Sequence, residues 1–151
     1  NSSWQNNGIV QNERIGIGIA VAVEDGLLVP VIPDADRLPL RDIASRRQAV
    51  VARALAGTLG VEDVHGGTFT ISNLGMYGVD GFSAIINPPN SGILAVGRIA
   101  DRVVPVNGVP SIRPMMTLNV ACDHRVLDGA RAAEFLGTLI GLIENPLSGI
   151  Y

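Results

Sequence analysis

The chain has 151 residues, 47% of them hydrophobic, with 11 basic and 14 acidic side chains and a formal net charge of -3. That is enough apolar matter for one packed core and too much for a disordered chain. No basic run points to nucleic acid, and no apolar run reaches the ~20 residues needed to span a bilayer.

Residues 15–23 are Ile, Gly, Ala and Val only, which predicts one strand buried on both faces. Glu24, Asp25 and Gly26 signal a turn, and residues 27–32 form a second apolar run in which Pro30 demands an edge or a bulge. Residues 40–56 change period: Leu40, Ile43, Ala44, Val51, Ala54 and Leu55 mark a helical stripe. Arg41, Arg46, Arg47 and Arg53 decorate the rest, as a solvated face or, for one of them, a phosphate contact. Residues 68–72 alternate as a strand and open a glycine-rich loop, and Asn87, Pro88, Pro89 and Asn90 form a rigid turn. Residues 93–99 predict another strand. Asn107 and Gly108, between residues 103–106 and 109–112, are the strongest hairpin signal. A last strand is expected over 115–122, then a helix over 129–144 burying Ala133, Leu136, Leu139, Ile140 and Ile143, with Pro146 as its stop. The order predicts an α/β sandwich with helices against one mixed sheet.

A mean hydropathy of +0.33 is high for so small a domain and points to surface buried against other subunits. The single cysteine, Cys122, excludes an internal disulfide and fits a reducing compartment. The chain begins at Asn1 without Met, so a piece of a longer protein is expected.

His65 precedes Gly66 and Gly67 in a polar loop and reads as an exposed loop histidine. His124 stands where an apolar strand gives way to a helix, with Asp123, Arg125 and Asp128 close by. Rigid corners of this kind aim functional side chains. From the residues alone, His124 is either a catalyst or a histidine satisfied by a local carboxylate. One histidine and two carboxylates are a thin ligand set, so no metal is expected. Cys122 lies in an apolar strand and reads as a buried, inert thiol. Ser72 is either a turn serine or a functional hydroxyl. A Ser–His–Asp hydrolase is disfavoured because the Gly-x-Ser-x-Gly elbow is missing. Gly16 and Gly18 lack the third glycine and the helix of a dinucleotide loop.

The segment Asp123-His124-Arg125-Val126-Leu127-Asp128-Gly129-Ala130 is similar to the His-x-x-x-Asp-Gly signature of the chloramphenicol-acetyltransferase-like superfamily. Within it, the chain resembles the catalytic domain of the acyltransferases of 2-oxo acid dehydrogenase complexes. The stretches beginning Asn1-Ser2-Ser3-Trp4, Gly26-Leu27-Leu28, Gly66-Gly67-Thr68-Phe69, Ile85-Ile86-Asn87-Pro88-Pro89 and Ile93-Leu94-Ala95 fit the same family in the same order. The resemblance implies a two-layer α/β sandwich with helices packed on one side of a mixed sheet. It implies that residues 1–151 are the C-terminal part of that domain, with its N-terminal part and the lipoyl and subunit-binding domains lying outside.

It further implies roles. His124 is the general base that takes the proton from the thiol of coenzyme A or dihydrolipoamide. The match is chemically apt, because imidazole titrates near neutrality whereas a free thiol, with a pKa of ~8.5, offers little thiolate there. Ser72 donates to the oxyanion, and Asp128 holds the histidine loop through an ion pair with Arg125 or with a residue outside the chain. Ser72, Asn73, Gly97 and Ile99 lie beside coenzyme A, which is a substrate. The lipoyl group comes on a separate lipoyl domain, and no metal is involved. The family forms homotrimers, with Ser72 and His124 from neighbouring subunits, assembled into cubic or dodecahedral cores. Its partners are the lipoyl domain, the decarboxylating dehydrogenase and dihydrolipoamide dehydrogenase, with no nucleic acid or membrane. The expected place is the bacterial cytoplasm, or the mitochondrial matrix in a eukaryote. The expected activity moves an acyl group between dihydrolipoamide and coenzyme A. The loop from Ser72 to Gly78 resembles acetyl-transferring members of pyruvate dehydrogenase complexes. A branched-chain acyltransferase is the alternative, and a non-catalytic core subunit is the alternative from another class. The presence of His124 speaks against the latter.

Overall fold

The computed structural model describes residues 1–149. β1 (Ser2–Gln5) and β2 (Gly8–Gln11) form an antiparallel hairpin. Asn6 and Asn7 both take positive φ at its tip, which is the twist a two-residue hairpin turn requires. The predicted strand over 15–23 breaks at Ala20 into β3 (Ile17–Ile19) and β4 (Val21–Val23). The second run breaks as well, into β5 (Gly26–Leu28) and β6 (Val31–Ile32). Pro30 is the cause. Its carbonyl accepts from the Ile19 N–H at 2.8 Å, but it has no N–H to return, so the ladder cannot run on. β4 and β5 therefore pair as a separate hairpin, and β6 becomes the edge of the main sheet beside β3.

α1 (Leu40–Leu55) follows and ends in a Schellman motif. The Thr58 N–H reaches the Arg53 carbonyl and the Gly57 N–H that of Ala54, with Gly57 at φ 66. Its buried residues are Val50 and Ala54. Leu40, Ala44 and Leu55, expected on the buried stripe, are exposed, and Ile43 and Val51 are half-buried. A helix lying on a sheet's end buries a narrower stripe than one enclosed on several sides.

β7 (Phe69–Asn73) and β8 (Gly92–Val96) run parallel to each other and to β3. The chain then leaves the sheet as the long hairpin β9 (Ala100–Val106) and β10 (Val109–Met115), turning at Asn107 and Gly108, both at positive φ. Of the strand predicted over 93–99, only the part to Val96 is in the sheet. Of that predicted over 115–122, Met115 belongs to the hairpin, and β11 (Leu118–Cys122) returns antiparallel to β8. The five-stranded order is β11-β8-β7-β3-β6. α2 (Gly129–Glu144) closes the described fold, before a 3-10 turn at Pro146–Gly149.

Phe69 of β7 meets Phe135 of α2, with ring centroids 5.6 Å apart. Ile71, two residues on and so on the same sheet face, shares a cavity with Val51 and Leu55 of α1. Both helices thus cover one face, giving the expected two-layer α/β sandwich. The core is Val21, Val31, Ile32, Val50, Ala54, Ile93, Leu94 and Ala95. α2 departs from expectation. It buries no residue: Leu136 and Leu139 are half-buried, Ala133 is exposed, and Phe135, Ile140, Leu142 and Ile143 are 39–45% exposed. No helix among the described residues is long and apolar enough to cross a membrane.

Candidate active site

Ser72 is the fourth residue of β7, on the sheet face opposite Phe69 and Ile71. It is half-buried and lines two cavities. One, of about 430 Å³, is walled by Ile19, Val21, Val51, Ile71 and Leu74 and also reaches Asn73, Tyr77 and Arg47. Arg47 is thus the member of the α1 arginine set that reaches the cavity beside Ser72, whereas Arg46 and Arg53 line a smaller one elsewhere and Arg53 is ion-paired with Asp63. Asn73 uses its Oδ1 to accept the Gly75 N–H at 2.8 Å, which fixes the turn after Ser72.

Gly97 is buried, and its place is dictated by packing. A Cβ there would collide with the carbonyl oxygen of Asp80. The flanking Arg98 N–H donates to Val79 at 2.8 Å, and the Arg98 guanidinium binds the Asp80 carboxylate. Ile99, by contrast, is 70% exposed.

His124 is exposed in the turn between β11 and α2. The Asp123 N–H ties that turn to the sheet by donating to the Ser91 carbonyl at 2.8 Å, and the Asp123 carbonyl accepts the N–H groups of Val126 and Leu127. The Asp123 carboxylate accepts the Arg125 N–H at 3.0 Å and two nitrogens of the Arg125 guanidinium, Nε at 3.0 Å and Nη2 at 2.7 Å. The Arg125 side chain, and next its backbone N–H, hold the Asp123 carboxyl down at about 2 against the opposing effect of burial. Arg125 in turn lies over the ring of Trp4 in β1, 5.4 Å from its centroid. No hydrogen bond to the His124 ring forms among the described residues.

Asp128 is the N-cap of α2, accepting the Arg131 N–H on Oδ1 at 2.8 Å. Arg125, one of the two expected partners for its ion pair, is instead committed to Asp123, which is nearer along the chain and on the same turn. His65 is exposed as expected, with Nδ1 donating to the Val61 carbonyl oxygen 2.6 Å away. Cys122 is half-buried rather than enclosed. Among the described residues, no cluster of three or more His, Cys, Asp or Glu could hold a metal ion.

Ser72 and His124 of one chain do not meet. In the register, Ser72 pairs with Ala95 of β8, and Ala95 with Asn119 of β11. From Asn119 to Cys122 is about 10 Å along the strand and two strand spacings across, which puts Ser72 and the end of β11 roughly 14 Å apart. His124 lies beyond that end. The separation agrees with the expectation that the two residues come from neighbouring subunits, whereas the sequence does not reveal the pairing of Trp4 with Arg125, residues far apart in the chain.

Residues 1–150 match the family of 2-oxoacid dehydrogenases acyltransferases, in the catalytic domain. Over 151 residues the chain is 46% identical to the dihydrolipoyllysine-residue acetyltransferase component 3 of the mitochondrial pyruvate dehydrogenase complex of Arabidopsis thaliana, with 98% of this chain and 28% of that protein covered. The dihydrolipoamide acetyltransferase of Azotobacter vinelandii, solved in a study of the roles of a serine, a histidine and an asparagine in its catalytic mechanism, superposes with a TM-score of 0.90 at 36% identity, over 94% of this chain and 59% of that one. The cubic core of a pyruvate dehydrogenase multienzyme complex superposes at 0.89 and 35% identity, over 94% and 59%. The chain spans about a third of the length of the curated relatives it matches. It belongs to the catalytic-domain family of the 2-oxoacid dehydrogenase acyltransferases.

Proposed function

We propose that the chain carries the acyl-transfer site of a dihydrolipoyllysine-residue acetyltransferase, moving acetyl between a lipoyl group and coenzyme A. One observation carries the reading. His124 follows Ser72 by 52 positions and Asp128 follows His124 by 4, the same spacings as the serine, histidine and asparagine studied in the Azotobacter enzyme. The spacing supports reading Asp128 as the counterpart of that asparagine.

The chemistry fits the residues. His124 removes the proton from the attacking thiol, and the sulfur adds to the thioester carbonyl carbon. The oxyanion takes a hydrogen bond from the Ser72 hydroxyl of a neighbouring subunit. The intermediate collapses, the second sulfur leaves, and the imidazolium returns the proton to it. Exposure of His124 outside the cavities that Ser72 lines, and the distance between the two along the sheet, favour a site completed by two subunits. The apolar surface left open on α2, and on β9 and β10 at Val103, Val109 and Ile112, favours assembly into a larger core. Coenzyme A and a lipoyl group on its own domain are the substrates. Asp128 serves by capping α2, which sets where the histidine turn ends.

In the full-length chain, His124→Ala is expected to lower transfer from acetyl-CoA to dihydrolipoamide by about 10²–10⁴-fold. Unchanged turnover overturns the reading.

A further inference from the structure

We propose that Trp4 is a positioning residue for His124, acting through the Arg125–Asp123 pair. The inference rests on the reading of His124 as the general base. A general base must be held within hydrogen-bond reach of the proton it takes. The His124 ring finds no hydrogen-bond partner among the described residues, so its aim is set by the main chain on either side. Both sides are clamped. Asp123 before it is tied to Ser91, and Asp123 binds the backbone N–H and the guanidinium of Arg125 after it.

The Arg125 side chain is 63% exposed, so its pair with Asp123 would by itself be weak and mobile. The Arg125 guanidinium carbon lies over the Trp4 ring, 5.4 Å from its centroid, and that contact gives the exposed cation a second partner. A planar guanidinium can stack on an aromatic face while its edge still binds a carboxylate in two places, an arrangement lysine cannot reproduce. The β1–β2 hairpin thereby reaches the catalytic turn. The charged groups beside His124 are Asp123 and Arg125 on its own turn, Asp128 at the start of α2, and Arg131 paired with Glu134 one turn further. Ser91, just before β8, and Trp4 of β1 bring no charge.

The test uses the assembled full-length enzyme and follows acetyl transfer from acetyl-CoA to dihydrolipoamide. Trp4→Leu is expected to lower kcat about two- to five-fold, with KM for acetyl-CoA unchanged, the effect of losing a cation–π contact at an exposed site. Trp4→Phe, which keeps an aromatic face, is expected to retain most of the activity. Arg125→Gln leaves the Asp123 charge beside the imidazole and should move the acid limb of the pH–rate profile upward, whereas Asp123→Asn should move it downward. Trp4→Leu added to Arg125→Gln should cost nothing further, because both act through one pair. Independent, multiplicative losses in the double variant, or Trp4→Phe as damaging as Trp4→Leu, overturn the proposal. So does a KM change with kcat intact. If Trp4→Leu fails to assemble, the opposed pH shifts of the Arg125 and Asp123 variants decide: their absence also overturns it. Full turnover in His124→Ala removes the underlying reading. A dead His124→Ala beside a fully active Trp4→Leu removes only the clamp.

Discussion

The two ends of the sheet hold their candidate residues in different ways. At one end Ser72 is part of a strand, its position set by ladders on both sides, and it lines cavities walled largely by apolar residues. At the other, His124 is exposed on a turn kept in shape by polar contacts to Asp123 and by one aromatic ring. An oxyanion donor needs a fixed location and a dry surrounding, which a strand in a sheet supplies. A base that both accepts and returns a proton needs access, which a corner supplies. The difference suggests that each end is incomplete and that the catalytic geometry is made by bringing one subunit's corner to another's strand.

The largest expected effect tests that division. Ser72→Ala and His124→Ala chains should each be nearly inactive, the serine variant by about 10²–10³-fold. Mixed during assembly, they should recover roughly a quarter of wild-type turnover, the share of contacts around a closed ring that pair an intact histidine with an intact serine. No recovery on mixing, in assemblies verified to contain both chains, would mean that Ser72 and His124 of one chain serve the same site.

Much of this was legible in the sequence, and the rest was hidden for identifiable reasons. Asn107 and Gly108 mark their hairpin because few residues accept positive φ twice in succession, and α2 begins at Gly129 directly after its cap, Asp128. Asn6 and Asn7 carry a weaker version of the same signal. The break at Ala20 was not legible, since it depends on Pro30 lying opposite, and opposition is a matter of register. The buried position of Val50 escaped the helical stripe because the depth to which α1 sits is set by the sheet. For the site, the family resemblance singled out Ser72, His124 and Asp128 as candidates and implied that Ser72 and His124 come from neighbouring subunits. It did not say which of the α1 arginines enters the Ser72 cavity, because that depends on how the helix lies on the sheet.

A smaller effect is expected where the His124 turn meets α2. Asp128→Ala removes the acceptor for the Arg131 N–H and should destabilise the folded chain by about 1 kcal/mol, read from chemical denaturation. Asp128→Asn keeps a good cap and should be nearly neutral in stability. If Asn also preserves turnover, capping is sufficient to explain the position. If Asn is stable but slow, the carboxylate charge acts on the reaction itself, and the helix cap is the lesser part of its role.

The smallest effect separates the two ends by pH. The Asp123 carboxyl is lowered from 3.8 to about 2, chiefly by the Arg125 guanidinium. A group lowered on folding stabilises the folded state above its unfolded pKa and loses that contribution as pH falls through the folded one. The clamp on His124 should therefore be intact above about pH 4 and released on the way to pH 2. Trp4 is the single tryptophan, so its emission reports the departure of Arg125 directly. The expected result is an acid step in Trp4 emission in that window, absent from Asp123→Asn, whose emission at neutral pH should already resemble the released state. Far-ultraviolet circular dichroism followed in parallel separates release from unfolding. An emission step in Asp123→Asn identical to the wild-type one would assign the transition to another carboxylate and leave the turn held by its backbone hydrogen bonds alone.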